Sequence, residues 1–305
     1  MPLPFLSAIG FFDGVHRGHQ HLITQVIAES RRRGCPSMLV TFDRHPRTVF
    51  APEAVPPLLT TREEKTALLK ATGIDEICFL PFDRELAAMS AHDFMAEILQ
   101  RKLHTGVLVI GYDHHFGCRK SGNSIEGFED YVRYGRELGI DVVAATELDS
   151  SVHISSSAIR KSLLDGDVSE AAALLGRPYS WTGKVVHGQA LGRQLGFPTA
   201  NLSPTEPLKL LPARGAYAVS VSGIADSPLP AMLNIGTRPT IDGSSVSIEV
   251  HILDFHGDLY GRTLTLNFIS RLRPEIQFAD TTALAQQLEQ DAQLTKKTLV
   301  FYGHS

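Results

Sequence analysis

Two histidines three residues apart, His16 and His19, stand where a short apolar run gives way to a helical pattern. The apolar run, residues 5–9, indicates a strand, and the pattern from Gln20 to Arg33 indicates a helix. The start of a helix has free backbone N–H groups and a partial positive charge, so it attracts phosphate. Imidazole N–H groups can donate hydrogen bonds to phosphoryl oxygens as negative charge develops on them. This pattern therefore predicts a triphosphate site that is built without a P-loop lysine.

The residues around the histidine pair are rich in glycine, which lets the backbone come close to a ligand. The predicted nucleotide contacts are Gly10, Phe11, Phe12, Asp13, Gly14 and Gly18, with His16 and His19 as the catalytic pair. Two other interpretations stay open. The pair could be half of a zinc site, although no glutamate lies between the histidines and no Cys-x-x-Cys accompanies them. The histidines could also merely decorate the start of a helix.

A run of serines, residues 155–157, precedes a second helical pattern that carries Ile159 and Leu163. Serines in this position are most often N-caps of the helix. Here a cap and an anion site coincide, because hydroxyls, helix N–H groups and the Arg160 guanidinium converge on one point. Ser156, Ser157 and Arg160 are therefore predicted to hold phosphate and to act in catalysis.

The second half of the chain carries a glycine-rich segment, residues 188–202, and a glutamate in an alternating run, residues 246–255. The glycine spacing could suggest packed membrane helices, but the segment is polar and contains Pro198. No Gly-Lys-Ser/Thr of a P-loop occurs in the sequence. In the alternating run, Val250 can face one side and Glu249 the other. Such a glutamate usually lies on the solvent face of a sheet, and that interpretation stays open.

Short apolar runs alternate with helical patterns up to about Leu175. Further runs of this kind cover residues 38–42, 77–80, 107–110 and 142–145. The alternation predicts a doubly wound parallel sheet with helices on both faces, a Rossmann-like arrangement whose ligands bind beyond the carboxyl ends of the strands. The histidine loop and Gly111 both follow such strands.

After about Trp181, extended segments follow one another with connections too short for crossover helices, which predicts an antiparallel sheet. A helical pattern from Thr281 to Phe301 closes the chain. A small antiparallel β-barrel with a C-terminal helix satisfies both observations. We therefore predict two domains, residues 1–179 and residues 180–305.

Composition disfavours several classes of protein. The 305 residues have a net charge of −4 and no basic block beyond residues 31–33, which disfavours a general nucleic-acid binder. The three scattered cysteines indicate no disulfide framework and fit a reducing cytoplasm. No apolar run approaches the ~20 residues that a membrane crossing needs. We expect a cytoplasmic protein, a monomer or weak homo-oligomer, that binds neither nucleic acid nor membrane.

The string Gly-Phe-Phe-Asp-Gly-Val-His-Arg-Gly-His at residues 10–19 resembles the adenylyltransferase half of the bacterial bifunctional riboflavin kinase/FAD synthetases. Residues 154–160 are similar to the family's Ile-Ser-Ser-Thr/Ser-x-Ile-Arg signature, which holds the phosphates of ATP. The resemblance implies flavin contacts from two further loops: His45, Gly111, Asp113, Phe116 and Arg119. The chain departs from the family pattern at Arg44, His114 and His115.

Residues 188–202 end in Gly-Phe-Pro-Thr-Ala-Asn-Leu and closely resemble the riboflavin kinase motif of the same family. The resemblance implies that Thr199 and Asn201 hold Mg²⁺ with the ATP phosphates, and neutral oxygens suit that hard ion. It implies nucleotide contacts from Gly188, Gly192, Arg193 and Pro198, and flavin contacts from Asn234, Arg271 and Arg273. Glu249 lies in the family's Glu-x-His element and is the predicted base, because the ribityl hydroxyl is a poor nucleophile.

The resemblance covers nearly the whole chain. It implies an enzyme that phosphorylates riboflavin to FMN with its C-terminal domain and adenylylates FMN to FAD with its N-terminal domain. Its partners are then riboflavin, FMN and ATP, with Mg²⁺ as cofactor. Two alternatives stay open: a riboflavin kinase with a weak or inactive adenylyltransferase domain, and a flavin-binding regulator. The complete set of motifs argues against the regulator, since a mere binder would not need all of these groups.

Overall fold

The computed structural model describes residues 3–111, 116–117, 126–149, 153–188, 192, 196–240 and 243–302. The chain forms two compact units, Met1–Ile154 and Ser155–Ser305. The first unit holds a sheet in the order β3-β2-β1-β4-β5, in which every neighbouring pair is parallel. Its strands are β1 (Phe5–Ile9), β2 (Ser37–Phe42), β3 (Glu76–Leu80), β4 (Thr105–Ile110) and β5 (Asp141–Ala144).

Helices cover both faces of this sheet. They are α1 (Arg17–Arg33), α2 (Arg47–Phe50), α3 (Arg62–Lys70), α4 (Arg84–Ala88), α5 (Ala91–Asp93), which continues as a π-helical segment (Phe94–Lys102), and α6 (Phe128–Leu138). Leu6 and Leu39 pack with Ile23 of α1 in one buried cluster. Val40 packs with Met95 of the π-helical segment in the other. The predicted doubly wound sheet is therefore confirmed.

The strand order makes the carboxyl end of β1 the place where a ligand is expected. From β1 the chain builds outward through β2 and β3 on one side, and β4 then returns to the other side of β1. Such a topological switch point opens a crevice beyond the strand ends, and ligands of open α/β sheets bind there. The histidine loop follows β1 and Gly111 follows β4, so both predicted loops leave the sheet at this crevice.

The second unit is a closed antiparallel barrel with a long C-terminal helix, as predicted. Its strands are β6 (Tyr179–Val186), β7 (Ala200–Pro204), β8 (Gly215–Ser222), β9 (Leu229–Thr240), β10 (Gly243–Ile252) and β11 (Thr263–Pro274). The C-terminal helix is α9 (Thr281–Tyr302). Among the described helices, none has the length and apolar character of a membrane span.

Two helices that precede the barrel, α7 (Ser156–Asp165) and α8 (Val168–Leu175), belong to the same compact unit. The Arg271 guanidinium on β11 donates to the carbonyl oxygen of Asp165 at 3.1 Å. The backbone N–H of Ala213 donates to the carbonyl oxygen of Leu163 at 2.9 Å. The compact unit thus begins at Ser155, well before the predicted domain limit at residues 179–180.

Removal of α7 and α8 should destabilise the barrel. Leu163, Leu174 and Leu175 are buried in the second unit, and burying each such side chain contributes about 1.5–3 kcal/mol. A fragment of residues 180–305 should therefore melt more than about 10 °C below a fragment of residues 155–305. Circular dichroism melts of the two fragments measure this, and equal melting temperatures would show that the helices do not support the barrel.

Candidate active sites

The loop after β1 presents two stacked imidazole rings at the start of α1. Phe12 and Val15 have φ of 53° and 41°, a region that residues with side chains rarely adopt. His16 is the N-cap of α1, and its Nδ1 accepts a hydrogen bond from the backbone N–H of His19 at 3.3 Å. The two rings stack with centroids 3.6 Å apart. Since Nδ1 of His16 accepts, the proton of the neutral ring lies on Nε2, which is then a donor.

Close packing within this loop explains two of its glycines. A Cβ atom at Gly10 would lie 2.9 Å from the Phe12 ring, and one at Gly18 would lie 3.3 Å from the His16 ring. The ring of Phe12 is buried and meets His19 edge-on, with centroids 5.2 Å apart. Side chains at the two glycine positions would therefore displace the aromatic rings that set the imidazoles in place.

The carboxylate of Asp13 fastens the histidine loop to the segment that leads into α3. Asp13 is 2% exposed. Its Oδ1 accepts hydrogen bonds from the backbone N–H groups of Leu59 and Thr60, each at 3.0 Å. The Thr60 hydroxyl in turn accepts from the backbone N–H of Gly14 at 3.0 Å. These contacts make Asp13 a support of the loop, and the nucleotide contact predicted for it stays a prediction.

The second loop at the crevice follows β2 and carries His45. Its Nδ1 accepts a hydrogen bond from the backbone N–H of Arg47 at 3.1 Å, and its ring meets the Phe11 ring edge-on with centroids 4.9 Å apart. The exposed Arg44, where the chain departs from the family pattern, pairs with the neighbouring Asp43 at 3.3 Å. Two predicted contact residues, Phe11 of the histidine loop and His45, therefore touch each other.

The third loop of the first unit follows β4 at Gly111. Phe116 stacks on Tyr131 with ring centroids 4.4 Å apart, and the Tyr131 hydroxyl bonds both its backbone N–H and its carbonyl oxygen. Phe116 thus packs against the core, and its flavin contact stays a prediction. Asp113, Arg119, His114 and His115 lie outside the described residues.

At the start of α7, Ser155 is the N-cap, and its hydroxyl accepts from the backbone N–H of Ala158 at 3.2 Å. Ser156 and Ser157 fill the first two helical positions, Arg160 follows one turn later, and the first turn contains no acidic residue. Two hydroxyls, the N-terminus of a helix and a guanidinium therefore lie in the first turns of one helix, at its positive end. These residues belong to the second unit and the histidines to the first, so their joint action on one phosphate chain stays a prediction.

In the barrel, three polar residues fall in one row across neighbouring strands. Asn201 of β7 is in register with Glu249 of β10, which is in register with Asn234 of β9. Side chains of directly opposed residues lie on the same face of a sheet. The hydroxyl of Thr199 donates to a carboxylate oxygen of Glu249 at 3.2 Å. The predicted base therefore lies beside both predicted metal ligands.

Gly188, which follows β6, packs closely against this row. A Cβ atom at Gly188 would overlap the carboxamide of Asn201. The backbone N–H of Phe197 donates to the carbonyl oxygen of Gly192 at 2.9 Å, and Nδ1 of His251 bonds the carbonyl oxygen of Pro198 at 2.7 Å. Arg193 lies outside the described residues.

A cavity of about 580 Å³ opens beside the loop between β6 and β7. Its lining includes Pro198, Thr199, Val250 and Tyr260. The hydroxyl of Thr199 and the amide oxygen of Asn201 are hard oxygen donors of the kind that Mg²⁺ accepts, and the lack of a side chain at Gly188 leaves room for the amide. The donor set therefore fits the predicted ion. Among the described residues there is no cluster of three or more His, Cys, Asp or Glu that would hold a metal without phosphate.

The two arginines predicted to contact flavin have structural partners in the second unit. Arg271 donates to the carbonyl oxygens of Asp165 and Arg214 at 3.1 and 2.6 Å. Arg273 donates from Nε and from a terminal nitrogen to Asp291 on α9, at 3.0 and 2.9 Å, and Asp291 is buried. Both side chains thus hold helices to the barrel, and their contact with flavin stays a prediction.

Two residues are not among the predicted site residues, although they bond directly to the predicted loops: His251, the histidine of the Glu-x-His element, and Lys65. His251 holds the backbone at Pro198, and its position next to Glu249 on the same face of β10 is the signal that could have indicated it. Lys65 lies on α3, four residues before Leu69 and on the same buried face. A lysine in an apolar position of a helical pattern is the corresponding signal.

Comparison with known proteins places both units in one family. The FAD synthetase family model matches residues 3–158, and the riboflavin kinase family model matches residues 175–299. The bifunctional riboflavin kinase/FMN adenylyltransferase of Escherichia coli (strain K12) is 39% identical over 298 residues, which is 97% of this chain and 92% of that protein. The chain belongs to the bifunctional riboflavin kinase/FMN adenylyltransferase family. The Pseudomonas fluorescens member is 39% identical over 289 residues, 94% of this chain and 90% of that protein.

Among solved structures, a crystal structure described as a macrolide-efflux protein from Streptococcus pneumoniae matches the structure of this chain with a TM-score of 0.87. The two are 31% identical, and the match covers 97% of this chain and 95% of that chain. The similarity supports the fold of the parallel-sheet unit and of the barrel.

Proposed function

We propose that this protein phosphorylates riboflavin to FMN in its barrel and adenylylates FMN to FAD in the region matched by the FAD synthetase model, with ATP as the second substrate of both reactions. The observation that carries the proposal is that both family models match, in order, along one chain. The match to the FAD synthetase model favours two activities over a kinase alone. Because both reactions consume ATP, we propose the cytoplasm as their compartment.

In the adenylyl transfer, a phosphate oxygen of FMN bonds to the α-phosphorus of ATP, and the bond from that phosphorus to the bridging oxygen breaks. Pyrophosphate leaves with the electron pair. No base is needed, because the second phosphate pKa is about 6 and the nucleophile is already ionised. The task of the protein is to align two anions and to stabilise charge on the leaving group. His16 and His19 supply imidazole donors for this task, and Ser156, Ser157 and Arg160 supply the rest of the predicted phosphate contacts.

In the kinase reaction, the ribityl hydroxyl of riboflavin attacks the γ-phosphorus of ATP, and ADP leaves. This hydroxyl keeps its proton at neutral pH, so a carboxylate that accepts the proton accelerates the step. Glu249 is suited to that role, because it lies in the row of polar residues beside Asn201 and its carboxylate is 3.2 Å from the Thr199 hydroxyl. Thr199 and Asn201 would hold Mg²⁺, which neutralises phosphate charge when it is bound with ATP.

The proposal is tested by following FMN and FAD separately after riboflavin, ATP and Mg²⁺ are mixed with the purified protein. FMN should appear first and FAD second, and chelation of Mg²⁺ with EDTA should stop both. FMN without FAD, even when FMN is supplied, would support the kinase with an inactive adenylyltransferase domain. Binding of flavin with neither product would support a regulator and overturn the proposal.

A further inference from the structure

Lys65 is a buried cation beside the histidine loop. The residue is 4% exposed, although lysine is almost never buried without partners. Its ammonium group donates to the carbonyl oxygens of Phe11 and Phe42, each at 3.1 Å, and to the Thr41 hydroxyl at 3.4 Å. It also lies over the ring of Phe11, 4.3 Å from the centroid. The amine is therefore held both by the histidine loop and by the end of β2.

The carbonyl oxygens that Lys65 joins lie at the carboxyl ends of two neighbouring strands, one just beyond β1 and one on the last residue of β2. Phe11 opens the histidine loop after β1, and Phe42 ends β2 just before the loop of His45. Thr41 adds a further link, because its hydroxyl donates to the carbonyl oxygen of Phe11 at 3.2 Å. A single amine thus links the backbone where the two loops begin that are predicted to hold nucleotide and flavin.

We propose that Lys65 is a positioning residue of FMN adenylylation, which sets the separation of the nucleotide loop and the flavin loop by bonding the carbonyl oxygens of Phe11 and Phe42. The inference rests on the proposed function of this unit. Lys65 acts through the backbone of both loops and not on a reacting atom. Two anionic substrates must be aligned for this reaction, and a displacement of about 1 Å can cost about 100-fold in rate.

The protonation state of Lys65 provides a readout that simple packing would not. Burial lowers the pKa of Lys65 to about 8, and Arg62 adds to the lowering, while Asp13 and Asp43 oppose it. The group is charged at pH 7 with three N–H donors for its three acceptors. Above about pH 8 it loses a proton, and one of the three hydrogen bonds must then be lost or reversed.

The test is Lys65→Met, which keeps an unbranched side chain but has no donor. At pH 7 we expect kcat/KM for FMN adenylylation to fall by about 10- to 100-fold, with KM raised for both ATP and FMN. The difference from the wild type should narrow as the pH rises from 7 to about 9.5, because the wild type then loses its own ammonium proton. Riboflavin phosphorylation, measured on the same preparation, should stay within about twofold. Lys70→Met, at the exposed last residue of α3, is the matched control and should change neither activity.

If Lys65→Met does not fold, Thr41→Val tests the inference in its place. It removes the hydrogen bond from the Thr41 hydroxyl to the Phe11 carbonyl oxygen and keeps the lysine amine. A smaller loss in the same two KM values is expected from it. A folded Lys65→Met, or failing that a folded Thr41→Val, with wild-type KM values would overturn the inference. A wild-type protein that makes no FAD from FMN would overturn the proposed function and this inference together.

Discussion

Glu249→Gln should lower kcat/KM for riboflavin phosphorylation by about 10²- to 10⁴-fold, the usual contribution of a general base. Glutamine keeps the size of the side chain and an oxygen that can accept the hydrogen bond from Thr199, but it has no basic oxygen. FAD formation from supplied FMN should stay within about twofold, because the change lies in the barrel unit. Initial rates of FMN and FAD formation, separated by chromatography, measure both effects.

Glu289→Gln is the matched control for this change. Glu289 lies on the exposed side of α9. Among the described residues, its side-chain hydrogen bond is with Gln293, one turn later in the helix. The same loss of one negative charge from the second unit should leave riboflavin phosphorylation unchanged. If Glu249→Gln also keeps more than about half of the wild-type rate, Glu249 is a solvated strand residue and another group must accept the ribityl proton.

Strands β1 to β5 could be predicted to within one or two residues because the physical signal is strong. A parallel strand that is covered on both faces is a continuous apolar run, and each run is bounded by a helical pattern. Strand β7 (Ala200–Pro204) is different, since only Leu202 of its five residues is buried. Its first residues belong to the Pro-Thr-Ala-Asn motif. Residue types that suit ligand binding therefore stand where an apolar alternation would have indicated a strand.

The limit of the second compact unit could not be predicted because it depends on tertiary contacts. The pattern of α7 and α8 indicates helices, but nothing in it shows which sheet they cover. The contacts that place α7 in the second unit join Arg271 to Asp165 and Ala213 to Leu163. The residues in each of these pairs are far apart in the sequence. The same holds for Lys65, whose residue type predicts a surface position although its neighbours place it inside.

Candidate site residues also differ in whether the sequence indicates them. The histidine pair could be proposed from residue types and spacing, whereas Thr199 and Glu249 are indicated by the resemblance of their motifs to the family, and the roles of all four stay predictions. The partners that fix them could not, since a backbone N–H of Leu59 or a carbonyl oxygen of Pro198 has no side-chain signature. Those partners determine how far a loop can move, and a loop that must align two anions depends on them as much as on the imidazoles.

His19→Ala should lower the rate of FAD formation from FMN and ATP by about 10²- to 10³-fold, as for removal of one preorganised donor to a charged transition state. Riboflavin phosphorylation should be unchanged. His19 is a sharper test than His16, because Nδ1 of His16 caps α1, and loss of a cap costs about 1 kcal/mol of stability. His21→Ala, two residues further along the same helix and outside the histidine motif, should leave both rates within about twofold.

A second substitution separates charge stabilisation from ring packing. His19→Phe keeps an aromatic ring against His16, which stacks at 3.6 Å, and against Phe12, but it removes both ring nitrogens. If the imidazole acts as a donor to the leaving pyrophosphate, His19→Phe should be as slow as His19→Ala while unfolding at the wild-type temperature. If His19→Phe restores FAD formation, the ring only holds the loop in place, and the donors to the phosphate chain must be His16, the helix N–H groups and Arg160.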